Sequence, residues 1–221
     1  MSDSIDTPAA LQARVLAGIP RALHSLLRPS PGTKPLGAAA ITDPDWLPAQ
    51  LALGGRMWQT DDQHLLATLW WYSASHSLIT PTVATLLVTG RAVSPALDDL
   101  VLHQFPDGIV GGAHSTAAVP GDGPAVARAL GATLTSVIDA VSAFTKSGIR
   151  PLWALATDGL AERLLFFGAA LGCVGKARLL AEALCGGIGA PLLAPRYVDV
   201  SAPTGRTQTF LRRSSCCLLY R

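Results

Sequence analysis

Apolar residues recur at helical spacing from the start of the chain. Between Pro8 and Leu27 they fall at Leu11, Val15, Leu16, Ile19, Leu23 and Leu26, which predicts a helix that Pro20 kinks or ends. RPSPGTKPLG, residues 28–37, reads as a loop from its Pro and Gly content. TDPDW then opens a second helix: Thr42 or Asp43 caps it, Pro44 suits its first turn, and Trp46, Leu47 and Leu51 form its apolar face. Thr60-Asp61-Asp62 caps a third and buried one, HLLATLWWYSASHSLI; Pro81 follows, and a second apolar stretch runs to Gly90.

The period changes in LVLHQFPDGIVGGA, residues 100–113. Side chains alternate there, and Asp107-Gly108 is a tight-turn dipeptide, so a β-hairpin is predicted. Helical spacing returns after VPGDGPAV with Pro124 at the first position, carrying Leu130, Leu134, Val137, Ile138 and Val141 on one face and ending near Gly148 as a C-cap. Pro151 opens a further helix through TDGLAERLLFFGAALG, and an Ala-rich helix extends to about Gly187. Tyr197 to Val200 read as a short strand. The expected fold class is α+β, predominantly α-helical with one small β-hairpin and a C-terminal cysteine segment. The division is a mostly helical body over residues 1–200 and a different, polar and Arg-rich segment over 201–221.

Composition narrows the function. Charged residues make up 14% of the 221, against about 25% in ordinary soluble domains. The net charge of +2 and the lack of a basic-aromatic block argue against nucleic acid. The apolar runs Leu78–Gly90 and Leu164–Gly175 fall short of the 18 to 20 or so residues of a spanning helix. The start, MSDSIDTPAALQARV, has no secretory h-region. A cytoplasmic protein without a transmembrane segment is expected, with peripheral membrane contact left open.

Candidate chemistry concentrates at the end. Four cysteines occur, Cys173, Cys185, Cys216 and Cys217. The adjacent pair can serve one metal centre only if the backbone turns, and Ser214-Ser215 is compatible with a turn. Thiolates suit zinc or iron–sulfur clusters. Arg206, Arg212, Arg213 and Arg221 flank the pair, and positive charge favours thiolate. Two inert thiols beside a basic tail is the competing account. Cys173 and Cys185 sit in Ala/Leu/Gly-rich sequence that predicts helix and read as small buried hydrophobes. His24, His64, His76, His103 and His114 show no i, i+4 pair and no His-Glu-x-x-His; His64 and His76 read as core or groove residues. Trp70, Trp71 and Tyr72 are consecutive, so they cannot all face one core. No dinucleotide fingerprint or nucleophile elbow is present.

FLRRSSCCLLYR resembles the start of the C-terminal signature of FhuF-type ferric-siderophore reductases, in which Cys-Cys, then Tyr-Arg, a Gly/Pro-rich spacer and Cys-x-x-Cys hold a [2Fe–2S] cluster. LLATLWWYSASHSLITPTVATLLVTGRAVSPALDDLVL and APRYVDVSAPTGR resemble upstream parts of the family more loosely. The resemblance implies a ferric-siderophore reductase that moves one electron through a [2Fe–2S] cluster to chelated Fe(III) and releases iron in the cytoplasm. Its donor would be of the ferredoxin or flavin reductase type. Cys216 and Cys217 would be two of the four ligands, and Arg212, Arg213, Tyr220 and Arg221 their environment. The Cys-x-x-Cys half is missing, because the sequence stops at Arg221. The expectation is a chain cut in mid-motif; a variant that lost its cluster, or completes one across two chains, is the other account. The rival functions are a siderophore- or protein-binding helical module and a thiol-redox protein using the pair directly.

Overall fold

A computed structural model describes residues 7–120, 123–189, 191–203, 205 and 207–215. The helices are α1 (Pro8–Gly18), α2 (Trp46–Trp58), α3 (Gln63–Thr89), α4 (Gly123–Thr145), α5 (Ile149–Ala170) and α6 (Val174–Ile188). The strands are β1 (Lys34–Gly37), β2 (Leu100–Gln104), β3 (Val110–Ser115), β4 (Arg196–Ser201) and β5 (Thr207–Arg212). The fold is α+β and predominantly helical, with an antiparallel sheet in the order β1-β2-β3 and a separate antiparallel pair, β4-β5.

Local chemistry sets several of these elements. Asp62 caps α3 by accepting the N–H groups of His64 and Leu65 at 2.9 and 3.1 Å. Asp43 Oδ1 accepts from Asp45 and Trp46 at 2.8 and 3.3 Å, so the TDPDW turn is held by its own side chain ahead of α2. The β2–β3 turn falls at Asp107-Gly108: Gly108 has φ 90°, a conformation that costs glycine little, and Asp107 Oδ1 accepts from Ile109 N–H at 3.0 Å.

Four local expectations are corrected. Pro81 does not divide the aromatic segment, because α3 runs through it as one 27-residue helix. Pro81 removes one ladder bond, but α3 lies in the core and packs on α5, α1 and β3, which outweighs that loss. Residues 34–37, read as loop, form β1 against β2; the sheet edge supplies partners that Lys-Pro-Leu-Gly does not advertise. Gly148 is the N-cap of α5 and not the C-cap of α4; Lys146 takes the positive φ, 56°. Residues 207–212, given no strand by the sequence pattern, form β5 and pair with β4 from Arg196↔Arg212 to Ser201↔Thr207.

The core surrounds α3, where Trp71 is fully buried, as is Phe167 of α5, two of the largest enclosed side chains. Trp71 Nε1 donates to Leu152 O of α5 at 2.8 Å. Gly159 lets α3 and α5 approach: a Cβ there would lie 3.2 Å from Ser75 Oγ. By length and composition α4 could cross a bilayer. Here its apolar stripe, including Leu130, Leu134 and Val141, is buried against the rest of the fold, the arrangement of a core helix.

Candidate functional site

Helical spacing places two pairs of polar side chains on facing helices. Tyr72 and His76 lie one turn apart on α3; Asp158 and Glu162 lie one turn apart on α5. The chain leaving β5 crosses them both.

Asp158 is 1% exposed. A carboxylate so deep needs its lone pairs filled, since burying an unpaired charge is strongly unfavourable. Its donors come from the end of the described chain. Ser214 N–H donates to Oδ1 and Oδ2 at 2.9 and 3.0 Å, Ser215 N–H to Oδ2 at 2.8 Å, and Ser215 Oγ to Oδ2 at 2.5 Å. Charge-assisted bonds of this kind contribute about 1.5–3 kcal/mol each.

Arg213, just before, makes the second anchor. Its Nη2 donates to Tyr72 OH at 2.7 Å and to Glu162 Oε2 at 3.3 Å, and its guanidinium lies 5.0 Å from the centre of the Tyr72 ring. Both partners of this ion pair are 38% exposed, and such pairs contribute only about 0–1 kcal/mol. Asp158 is therefore the stronger anchor.

Glu162 Oε2 also meets His76 Nε2 at 3.5 Å. His76 Nδ1 lies 2.7 Å from Tyr72 O. A carbonyl only accepts, so Nδ1 carries the hydrogen. The Nε2–carboxylate contact is then an ion pair only when His76 is the imidazolium. The bond from His76 holds the Glu162 carboxyl below its ordinary range; burial opposes this, while the charges of His76, Arg213 and Arg163 reinforce it. Beside these residues lies a cavity of about 330 Å³, with Ser73, Arg163 and Phe166 also on its wall.

Of the expected cluster residues, Cys216, Cys217, Tyr220 and Arg221 lie outside the described residues, as does Arg206. Arg212 ends β5, exposed and opposite Arg196. Arg213 is committed to Glu162 and Tyr72. Cys185 is 4% exposed, and burial pushes its thiol up to about 12, so it stays neutral. Cys173 caps the start of the helix that holds Cys185, about 18 Å away at about 1.5 Å per residue. These two thiols cannot share one cluster. Among the described residues no group of three or more His, Cys, Asp or Glu could hold a metal ion.

Trp70 is 8% and Trp71 0% exposed, whereas Tyr72 faces the cavity and Arg213. The aromatic run divides between core and groove. His64 bonds Ser147 Oγ at 3.0 Å, well away from His76 in the fold. Sequence reasoning missed Asp158 and Glu162. Their signal was two acids one turn apart in LWALATDGLAERLLFF, a segment too apolar to leave the first of them in water.

No protein-family model matches this chain, and no curated protein matches it.

Proposed function

We propose that this chain is the body of an iron–sulfur ferric-siderophore reductase acting in the cytoplasm, with Cys216 and Cys217 as half of the ligand set of a [2Fe–2S] cluster. The observation that supports the reading is the anchoring of Ser214 and Ser215 on buried Asp158. The two residues before the cysteine pair are tied to the core, as a metal-binding segment requires and a loose basic tail does not. The other two ligands would come from chain beyond Arg221 or from a second copy.

Bound there, the cluster would supply a one-electron relay between a donor of the ferredoxin or flavin reductase type and chelated Fe(III). Hydroxamate oxygens hold Fe(III) far better than Fe(II), so reduction loosens the metal. The chain's own residues have simpler work. Asp158 fixes the backbone ahead of the thiols. Arg213, held by Tyr72 and Glu162, carries positive charge three positions ahead of Cys216 in sequence, and positive charge near a thiol favours thiolate.

The test is iron and acid-labile sulfide content, with a visible spectrum, on protein purified anaerobically at this length and on a form extended past Arg221. Stoichiometric iron and sulfide in either form, lost on Cys216→Ser and Cys217→Ser, are the expected result. Colourless, iron-free protein in both forms overturns the proposal.

One observation favours a second reading, a siderophore- or protein-binding module without a cluster. Met57, Trp58 and Ile109, each between 41% and 42% exposed, border a cleft of about 130 Å³ between α2 and the β2–β3 turn, with Trp70 at its wall. Exposed aromatic surface of this kind suits docking. Colourless protein whose Trp58 fluorescence is quenched by a ferric hydroxamate, an effect lost on Trp58→Ala, would favour this reading.

A further inference from the structure

Arg163 stands apart from the other charges of the site. Its Nε is buried and has no hydrogen-bond partner. No ion pair of Arg163 is found among the described residues; its guanidinium carbon lies 5.7 Å from the centre of the Phe166 ring. Glu162, next in sequence, does not neutralise it at short range, because Glu162 Oε2 already receives Arg213 and faces His76. Asp158 is filled by Ser214 and Ser215. Burial accordingly pulls the Arg163 guanidinium below its ordinary pKa, with Glu162 and Tyr72 only partly opposing.

A buried guanidinium N–H is normally paired, and the unpaired Nε of Arg163, on a side chain that is otherwise partly exposed, calls for a partner. Arg163 lines the cavity between α3, α5 and β3, whose volume of about 330 Å³ lies in the range of small-molecule sites. The hydroxyls of Ser73 and Ser77, one turn apart on α3, lie on the same wall. They can donate to an oxygen that the guanidinium holds. Phe166 and Val110 supply apolar surface for the remainder of a ligand.

We infer that this cavity binds the oxyanion group, carboxylate or phosphate, of a small molecule, with Arg163 as its cation and Ser73 and Ser77 as additional donors. Guanidinium is suited to both groups, because its parallel N–H donors match two oxygens on one centre. Glu162, beside Arg163 on α5, also lines the cavity and turns away ligands that present a second negative charge, so a single oxyanion on an otherwise neutral body fits best. The site stands whether or not Cys216 and Cys217 carry a cluster.

Calorimetric titration with inorganic phosphate and, separately, with acetate tests the inference, each against chloride at equal ionic strength. The Nε–H resonance of Arg163 is followed by NMR in the same titrations. Saturable binding of at least one anion, with a saturable shift of that resonance, is expected. Arg163→Gln should weaken binding roughly tenfold or more. Ser73→Asp, at an exposed position, should weaken it too while leaving Arg163 in place. The phosphate and acetate arms together distinguish the two ligand chemistries. Absence of saturable binding in both arms, or binding unchanged in Arg163→Gln, overturns the inference.

Discussion

Asp158 Oδ2 accepts the N–H of Ser215 at 2.8 Å across 57 positions of sequence. The acid is 1% exposed, so the end of the described chain is part of how the core satisfies its charge. Asp158→Ala removes the acceptor of four contacts at once and should lower stability by about 2–4 kcal/mol, read from urea unfolding. Amide exchange at Ser214 and Ser215 should quicken at least roughly tenfold in the same variant, as local opening becomes easier. Unchanged exchange would show that Arg213 alone holds the segment.

Gly159 of α5 faces Ser75 and His76 of α3. A methyl group there would lie 3.2 Å from Ser75 Oγ and 3.8 Å from the His76 ring. Gly159→Ala should cost about 1–3 kcal/mol as an overpacking change, even though alanine is the better helix former. Adding Ser75→Ala should recover part of the loss. A Gly159→Ala protein as stable as the parent would mean that the helices separate without penalty.

His103 and His114 form a stacked pair on β2 and β3, with Nε2 and Nδ1 2.8 Å apart. Burial, then the neighbouring His114, lowers His103 from 6.5 to about 4, with a backbone contact at Arg28 opposing; burial also lowers His114. The unfolded chain therefore binds more protons than the folded one between about pH 6.5 and pH 4. Stability should be fully present above this window and fall as pH drops through it. For His103 the loss is on the order of 2–3 kcal/mol. Urea midpoints at pH 7 and pH 4.5 measure it, and the His103 ring resonances should not titrate above pH 5 or so. A ring that titrates near 6.5 would contradict the burial argument.

Cys185 should be inert. With the thiol buried and pushed up to about 12, iodoacetamide at pH 8 should leave it unmodified in folded protein and alkylate it after denaturation. Peptide mass mapping separates it from Cys173, which is half-buried and should react sooner. Rapid native labelling of Cys185 would place it at the surface of α6.

What could be read from the sequence was local. Asp62 as the cap of α3, Asp43 ahead of α2 and the Asp107-Gly108 turn each depend on atoms within three or four residues, so their signals survive without knowledge of the fold. The stripe of α4 was legible for the same reason, since helix geometry alone puts Leu130, Leu134 and Val141 on one face. Pro81 misled because its intrinsic effect is local while its tolerance is not: the buried contacts of α3 offset a lost bond that an isolated helix would not survive. β1 and β5 were missed because neither segment alternates strongly, and each owes its conformation to the strand beside it.

The candidate site divides along the same line. The sequence determined that Asp158 lies in an apolar helix and that Arg213, Ser214 and Ser215 follow a polar stretch. It also showed that three aromatics in a row cannot share one face. Burial then requires donors for Asp158, but hydrogen-bond chemistry does not say which; any amide or hydroxyl of the right reach would serve. Only the tertiary structure decided that the donors are Ser214 and Ser215, that Arg213 shares Glu162 with His76, and that Arg163 is left to a cavity. Pairing across such separations is selected by the packing of α3 against α5 and by the return path of the β4–β5 hairpin. A one-dimensional pattern of apolar and polar positions carries no record of either.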